Sequence, residues 1–221
     1  NAVKLASEAD NFHRSVANLD NLWSNLQSHD VHHVGIRTIL KGLLKLFASF
    51  FHSGLSEGKP LSLLDNEPLY QLLLKHVDIA RLDNMINADQ LHALCISALG
   101  YSSGHNISFI QGHSSIKGWT SARRSGVKTT LSHNHIMASA ALPAIFPSVR
   151  INREYFGDGA LRQTAPLSSA LNLGADKLFV IGVSGNTSQP YEREKTIHSP
   201  SIAQVLSQLL NSAFIDSMDE D

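Results

Sequence analysis

The chain has 221 residues, 43% hydrophobic and 17% charged, enough apolar mass for one globular core. Lys and Arg number 18 against 19 Asp and Glu, a formal charge of -1, so no basic face is implied and nucleic acid is set aside as a partner. The single cysteine, Cys95, excludes an intrachain disulfide, and no run reaches the roughly 18 apolar residues that a membrane-crossing helix needs.

Residues 11–27 are predicted as an amphipathic helix, with Phe12, Val16, Leu19, Leu22, Trp23 and Leu26 on one face. Val31-His32-His33-Val34 follows as a linker. Two adjacent histidines do not converge on a metal without further ligands, so no metal or other cofactor is expected. Residues 36–51 are strongly apolar, with Phe47, Phe50 and Phe51 near Lys41 and Lys45. They read as a helix packed on the domain or as a lipid-facing cap. Gly54 to Pro60 is a loop.

Asp65-Asn66-Glu67-Pro68 signals a helix start, and Leu69, Leu72, Leu73 and Val77 give that helix a buried face. Ile79 to Ala88 is predicted as a further helix. Leu91 to Leu99 then reads as a strand, with Cys95 as a buried thiol, and Asn106 to Gln111 as its partner. Between them Gly100-Tyr101-Ser102-Ser103-Gly104 fits G-x-S-x-G, the nucleophile-elbow pattern of serine hydrolases. An elbow needs a helix after the serine. Ile107 and Phe109 point instead to a strand, so a hairpin loop is expected. Residues 112–134 look loop-rich, with Trp119, Arg123 and Arg124 as surface groups or contacts to phosphate head groups.

The stretch from His135 to Ser184 carries the densest signal. Ile136, Met137, Ala140 and Ala141 recur at helical spacing, and Pro143 and Pro147 then fix the apolar loop Ala144-Ile145-Phe146. Val149 and Ile151, a turn at Asn152-Arg153, and Tyr155-Phe156 make a hairpin that runs into Gly157-Asp158-Gly159. Glycines on both sides allow a sharp turn and a close approach of other groups, and a carboxylate at a strand end is well placed for chemistry. Pro166 suits the first turn of a helix that ends near Gly174, and Leu178 to Val183 reads as a covered parallel strand. Ile202 to Phe214 is a last amphipathic helix.

The series ASAALPAIFPSV, a short hairpin, YFGDGA, and then P-L-x-x-A-L-x-L-G-A-D-K-L-F-V-I-G-V closely resembles the C-terminal catalytic half of the patatin-like phospholipases. The resemblance runs from the first residues to about Ser212. It implies one α/β domain over 1–221, with a mostly parallel central sheet flanked by helices on both sides, incomplete at the N-terminus and cut at both ends. It implies a Ser–Asp dyad that hydrolyses acyl esters of lipids, with Asp158 as the base and Gly157 and Gly159 shaping its turn. Ala160 stands where many members have Gly. Asn1-Ala2 resembles the tail of the family's G-x-S-A-G-x-x-N-A elbow, so the nucleophile is expected just outside the chain. No loop of the family's oxyanion type, D-G-G-G-x-R-G, is found, so residues 1–221 alone are expected to be inactive.

The expected partner is a phospholipid or other acyl-ester lipid, with possible peripheral membrane contact through 36–51 and a cytoplasmic or peripheral-membrane location. Two other readings compete. One is an α/β-hydrolase-type esterase using Ser102, Asp158 and a histidine such as His198, with His133 and His135 as weaker candidates. The other is a lipid-binding or interaction module without a nucleophile.

Overall fold

A computed structural model describes residues 1–31, 44, 62–143, 145–162 and 167–181. The chain divides into two compact units, 1–162 and 163–221. The predicted helices at 36–51 (except Leu44) and 202–214, together with His198 and Pro166, lie outside the described residues.

The first unit opens with helices α1 (Ala2–Ser7), α2 (Phe12–Asn25) and α3 (Ser28–Val31). The last is a short helix between the predicted helix at 11–27 and the expected linker, of which only Val31 is described. Asn11 caps α2, its side chain accepting from the Arg14 N–H at 3.1 Å. Only part of the predicted apolar face of α2 is covered: Leu19, Leu22 and Leu26 are half-buried, whereas Phe12, Val16 and Trp23 are exposed. Helix α4 (Glu67–His76) has Pro68 in its first turn, and the Asp65 carboxylate accepts the Glu67 N–H at 3.0 Å. Lys75 and His76 lie in its last turn, where cations suit the helix dipole. Helix α5 (Arg81–Asn87) buries Leu82, Met85 and Ile86.

Among the described residues six strands follow: β1 (Ala93–Gly100), β2 (Asn106–Gly112), β3 (Trp119–Thr120), β4 (Arg124–Lys128), β5 (Val149–Ile151) and β6 (Glu154–Asp158). They form one sheet in the order β3-β4-β2-β1-β6-β5. The expectation of a mostly parallel sheet is corrected here. Among the described residues only β2 and β4 pair in parallel; the other four pairs are antiparallel, so the sheet is mixed. The reason is local. β1–β2 and β5–β6 are joined by short turns, and short connections enforce antiparallel pairing. Asn152, at φ 55°, makes the tight turn between β5 and β6, a conformation that asparagine tolerates well. Strands β3 and β4 lie in the segment read as loop-rich.

The core forms where helices meet the sheet. Leu94, Ile96 and Ala98 of β1 pack with Phe109, Ile151 and Phe156 of neighbouring strands. Val3, Ala6, Val77, Ile79, Leu82 and Ala138 belong to the same cluster from the helical side. Alternate residues of β1 (93, 95 and 97) are only half-buried, the two-faced pattern of an antiparallel ladder. Helix α6 (His133–Ser139) buries Met137 and Ala138 and contacts β1, β5 and β6.

In the second unit, α7 (Leu167–Asn172) ends two residues before Gly174, near which its end was expected. Gly174 has φ +90°, and the Ala175 N–H reaches back to the Ala170 carbonyl at 3.1 Å. The predicted strand at 178–183 is not formed over its described part: residues 178–181 carry no strand pairing. Among the described residues no helix is long and apolar enough to cross a membrane.

Candidate active site

Asp158 is the last residue of β6, in register with Ala98 of β1. Its backbone N–H donates to the Ala141 carbonyl at 3.0 Å, which ties the strand end to the segment after α6. Its side-chain Oδ1 accepts the Ala160 N–H at 2.9 Å. That bond closes a turn in which the carboxylate faces its own following backbone. The carboxyl is half-buried, and burial raises its pKa above the ordinary value, with the Ala160 N–H pulling the other way.

Both flanking glycines sit in tight space, Gly159 against backbone and Gly157 against a side chain. A Cβ on Gly159 would lie 2.5 Å from the Ser97 carbonyl oxygen and 3.1 Å from the Ala98 nitrogen, both backbone atoms of β1. A Cβ on Gly157 would strike the Tyr101 hydroxyl. The turn therefore rests directly on β1, with the phenol of Tyr101 against its approach strand. Asn106, buried at the start of β2, donates from Nδ2 to the Gly159 carbonyl at 3.2 Å. This anchor was not found by sequence reasoning. An asparagine opening a strand has no spacing that marks it as a partner of a turn 53 residues away.

The Gly100–Gly104 segment is a hairpin turn between β1 and β2, as the following strand predicted. Ser102 is exposed in that turn and is not followed by a helix. The turn braces β6 instead. The Tyr101 N–H donates to the Tyr155 carbonyl at 3.0 Å, and the Ser103 N–H donates to Glu154 Oε1 at 2.6 Å. Burial first, and the Asp158 charge second, raise the pKa of Tyr101. The effect is one-sided because Tyr101 is still neutral when Asp158 titrates. The same G-x-S-x-G pattern also matches Gly54-Leu55-Ser56-Glu57-Gly58, outside the described residues.

The candidate histidines have structural partners. His133 Nε2 lies 2.9 Å from the Val77 carbonyl and donates to it. The buried His135 accepts at Nδ1 from the Ser132 N–H at 3.0 Å, and its ring meets Phe109 edge-on at 4.7 Å. Burial lowers its pKa. The Trp119 indole lies against the backbone of Gly126, where a Cβ would meet the ring at 2.5 Å, so its role is packing. Among the described residues no group of three or more His, Cys, Asp or Glu could hold a metal.

The family model of the patatin-like phospholipases matches residues 3–171, well over half of the chain and including β6 and the Asp158 turn. No curated protein and no solved structure matches. A mixed α/β unit and that match agree: the chain belongs to the patatin-like phospholipase family, a family of lipid acyl hydrolases.

Proposed function

We propose that Asp158 is the base of a Ser–Asp dyad that hydrolyses acyl esters of lipids, with the serine outside residues 1–221. The observation that carries this reading is the turn itself. A half-buried carboxylate sits at a strand end, within the matched region, and is fixed by the Ala160, Ala141 and Gly159 contacts.

Ala160 occupies Oδ1, so Oδ2 receives the proton. As the serine Oγ–H bond breaks, Oγ bonds to the ester carbonyl carbon and the proton passes to Asp158. The leaving alcohol takes that proton as the ester C–O bond breaks. Water then attacks the acyl-enzyme, gives its proton to Asp158, and the serine oxygen recovers a proton as the fatty acid leaves. An ordinary carboxylate is a weak base, with a pKa of about 3.9. Burial that raises its proton affinity, together with close positioning, supports this role.

Among the described residues the turn makes no hydrogen bond to His133 or His135, which bond to Val77 and Ser132 instead. The apolar run 36–51 is proposed as a lipid-facing cap that gives peripheral membrane contact.

The test has two parts. Reading the coding sequence upstream of Asn1 is expected to show G-x-S-x-G running into Asn1-Ala2. Residues 1–221 alone are expected to show no turnover of p-nitrophenyl esters or phospholipid. In the protein that carries the upstream serine, Asp158→Asn is expected to abolish turnover with unchanged circular dichroism. Turnover by residues 1–221 that is lost in Ser102→Ala or Ser56→Ala would overturn the reading. Vesicle binding without turnover by the longer protein would favour the binding module.

A further inference from the structure

A polar cleft of about 430 Å³ opens among α1, α2, α3 and α4. None of its lining belongs to β6 or the Asp158 turn, so it is distinct from the site above. Four charged or titratable residues line it: Lys4, Asp30, Lys75 and His76. Two of them are already engaged. The Lys4 ammonium pairs with Glu8. The Asp30 carboxylate accepts the Gln27 N–H at 2.9 Å and lies 3.4 Å from His29 Nε2. Lys75 is exposed and makes no ion pair among the described residues.

The ring of His76 is a neutral donor near pH 7. Its pKa is lowered first by burial, then by Lys75, then by Lys4. Along the α2 side, the Asn25 amide donates to Asn21 Oδ1 at 2.7 Å, which leaves Asn21 Nδ2 as a donor beside the cleft. Leu22, Leu26 and Leu72 supply apolar wall.

We propose that this cleft binds a phosphate group on a small polar body of about glycerol phosphate size, with Lys75 and His76 as its principal contacts. The Lys75 ammonium, with the neutral His76 ring and the Asn21 amide as further donors, suits an anion with several acceptor oxygens. The volume falls in the range of about 300–1,000 Å³ typical of small-molecule sites. The group could be carried by a free phosphate ester or by a lipid head group, and both present the same oxygens. The inference is independent of the role of Asp158.

Calorimetric titration of the whole chain with inorganic phosphate and with glycerol 3-phosphate tests the soluble source. Co-sedimentation with phosphatidylcholine vesicles, with and without phosphatidic acid, tests the lipid source. Saturable 1:1 binding is expected in at least one arm, and the responding arm identifies the source. Lys75→Ala is expected to weaken that binding about tenfold or more, because a charge-assisted contact is lost. Lys75→Arg is expected to retain it. Arg14→Ala removes the same charge from α2 outside the cleft and is expected to change nothing. Lys75 is exposed, so folding of these variants is expected to be intact, checked by circular dichroism. Absence of binding in every arm, or equal binding by wild type, Lys75→Ala and Arg14→Ala, would overturn the proposal.

Discussion

Gly159→Ala is the sharpest perturbation of the Asp158 turn. The new Cβ would sit 2.5 Å from the Ser97 carbonyl oxygen and 2.7 Å from its carbon, where ordinary contact begins near 3.4 Å. Both atoms belong to the backbone of β1, in the middle of the sheet, so neither can swing away. Relief requires the turn and β1 to move apart, which strains the Ala98↔Asp158 pairing and the 3.2 Å bond from Asn106. Overpacking of this kind costs about 1–3 kcal/mol, and the strained hydrogen bond adds about 1 kcal/mol. Alanine recovers about 0.4–1 kcal/mol by restricting the unfolded chain. The net loss is about 1–3.6 kcal/mol, a fall in Tm of roughly 2–14 °C for a chain of this size. Gly157→Ala provides the contrast. Its Cβ meets the far end of the Tyr101 side chain, which can rotate outward, so the expected loss is only about 1 kcal/mol. Thermal unfolding followed by circular dichroism measures both. A Gly159→Ala variant within 2 °C of wild type, or one milder than Gly157→Ala, would refute the claim that backbone contact fixes this turn.

Four further outcomes follow from the same contacts. The folded-state pKa of Asp158 is raised, so the folded form holds its proton to higher pH than the unfolded chain and stability falls as pH rises through that window. Asp158→Asn is therefore expected to raise Tm at pH 7 and to leave it unchanged at pH 3, as scanning calorimetry would show. His135 has a lowered folded-state pKa, so the unfolded chain protonates first and stability is lost as pH falls through about 6.5 and below; His135→Gln should flatten that part of the Tm–pH curve. Glu154→Ala removes the acceptor of the Ser103 N–H and is expected to cost about 1–2 kcal/mol in urea unfolding, with Glu154→Gln about half as harmful. Ser102→Ala in the protein carrying the upstream serine is expected to leave ester hydrolysis unchanged, and a loss above tenfold would return the hairpin serine to the mechanism.

The readable parts of this chain were those where local chemistry decides the outcome. Turn residues and alternating apolar positions mark the β1–β2 and β5–β6 hairpins. The Gly157-Asp158-Gly159 turn shows in three letters that a carboxylate ends a strand under tight spatial limits. What stayed hidden was settled by partners. Arg124-Ser-Gly-Val-Lys has no apolar alternation, and it becomes β4 because β2 offers an edge in register from Asn106 to Ile110. Strand β2 itself buries Asn106, Ser108 and Gln111. Gln111 is held inside by Asp83 at 2.7 Å and by the Leu131 N–H at 2.8 Å, bonds that no periodicity announces. Sheet direction was misjudged for a similar reason, since a buried apolar run does not reveal which way its neighbour points. The run at 178–183 looked like a strand because its composition suits one, but composition does not provide a pairing partner.

The brace between the β1–β2 turn and β6 joins groups 51 residues apart, from Ser103 to Glu154. On the ribosome, β1 and β2 can pair as soon as both emerge, yet the far edge of β1 at Ala98–Gly100 stays open until β6 is made. During that interval a nascent chain presents an unpaired edge lined with apolar side chains, the kind of surface that recruits other chains. Heterologous expression should therefore gain soluble yield from slower synthesis at low temperature or from added chaperones. Truncations that end before Asp158 should go to inclusion bodies even though most of their helices are complete.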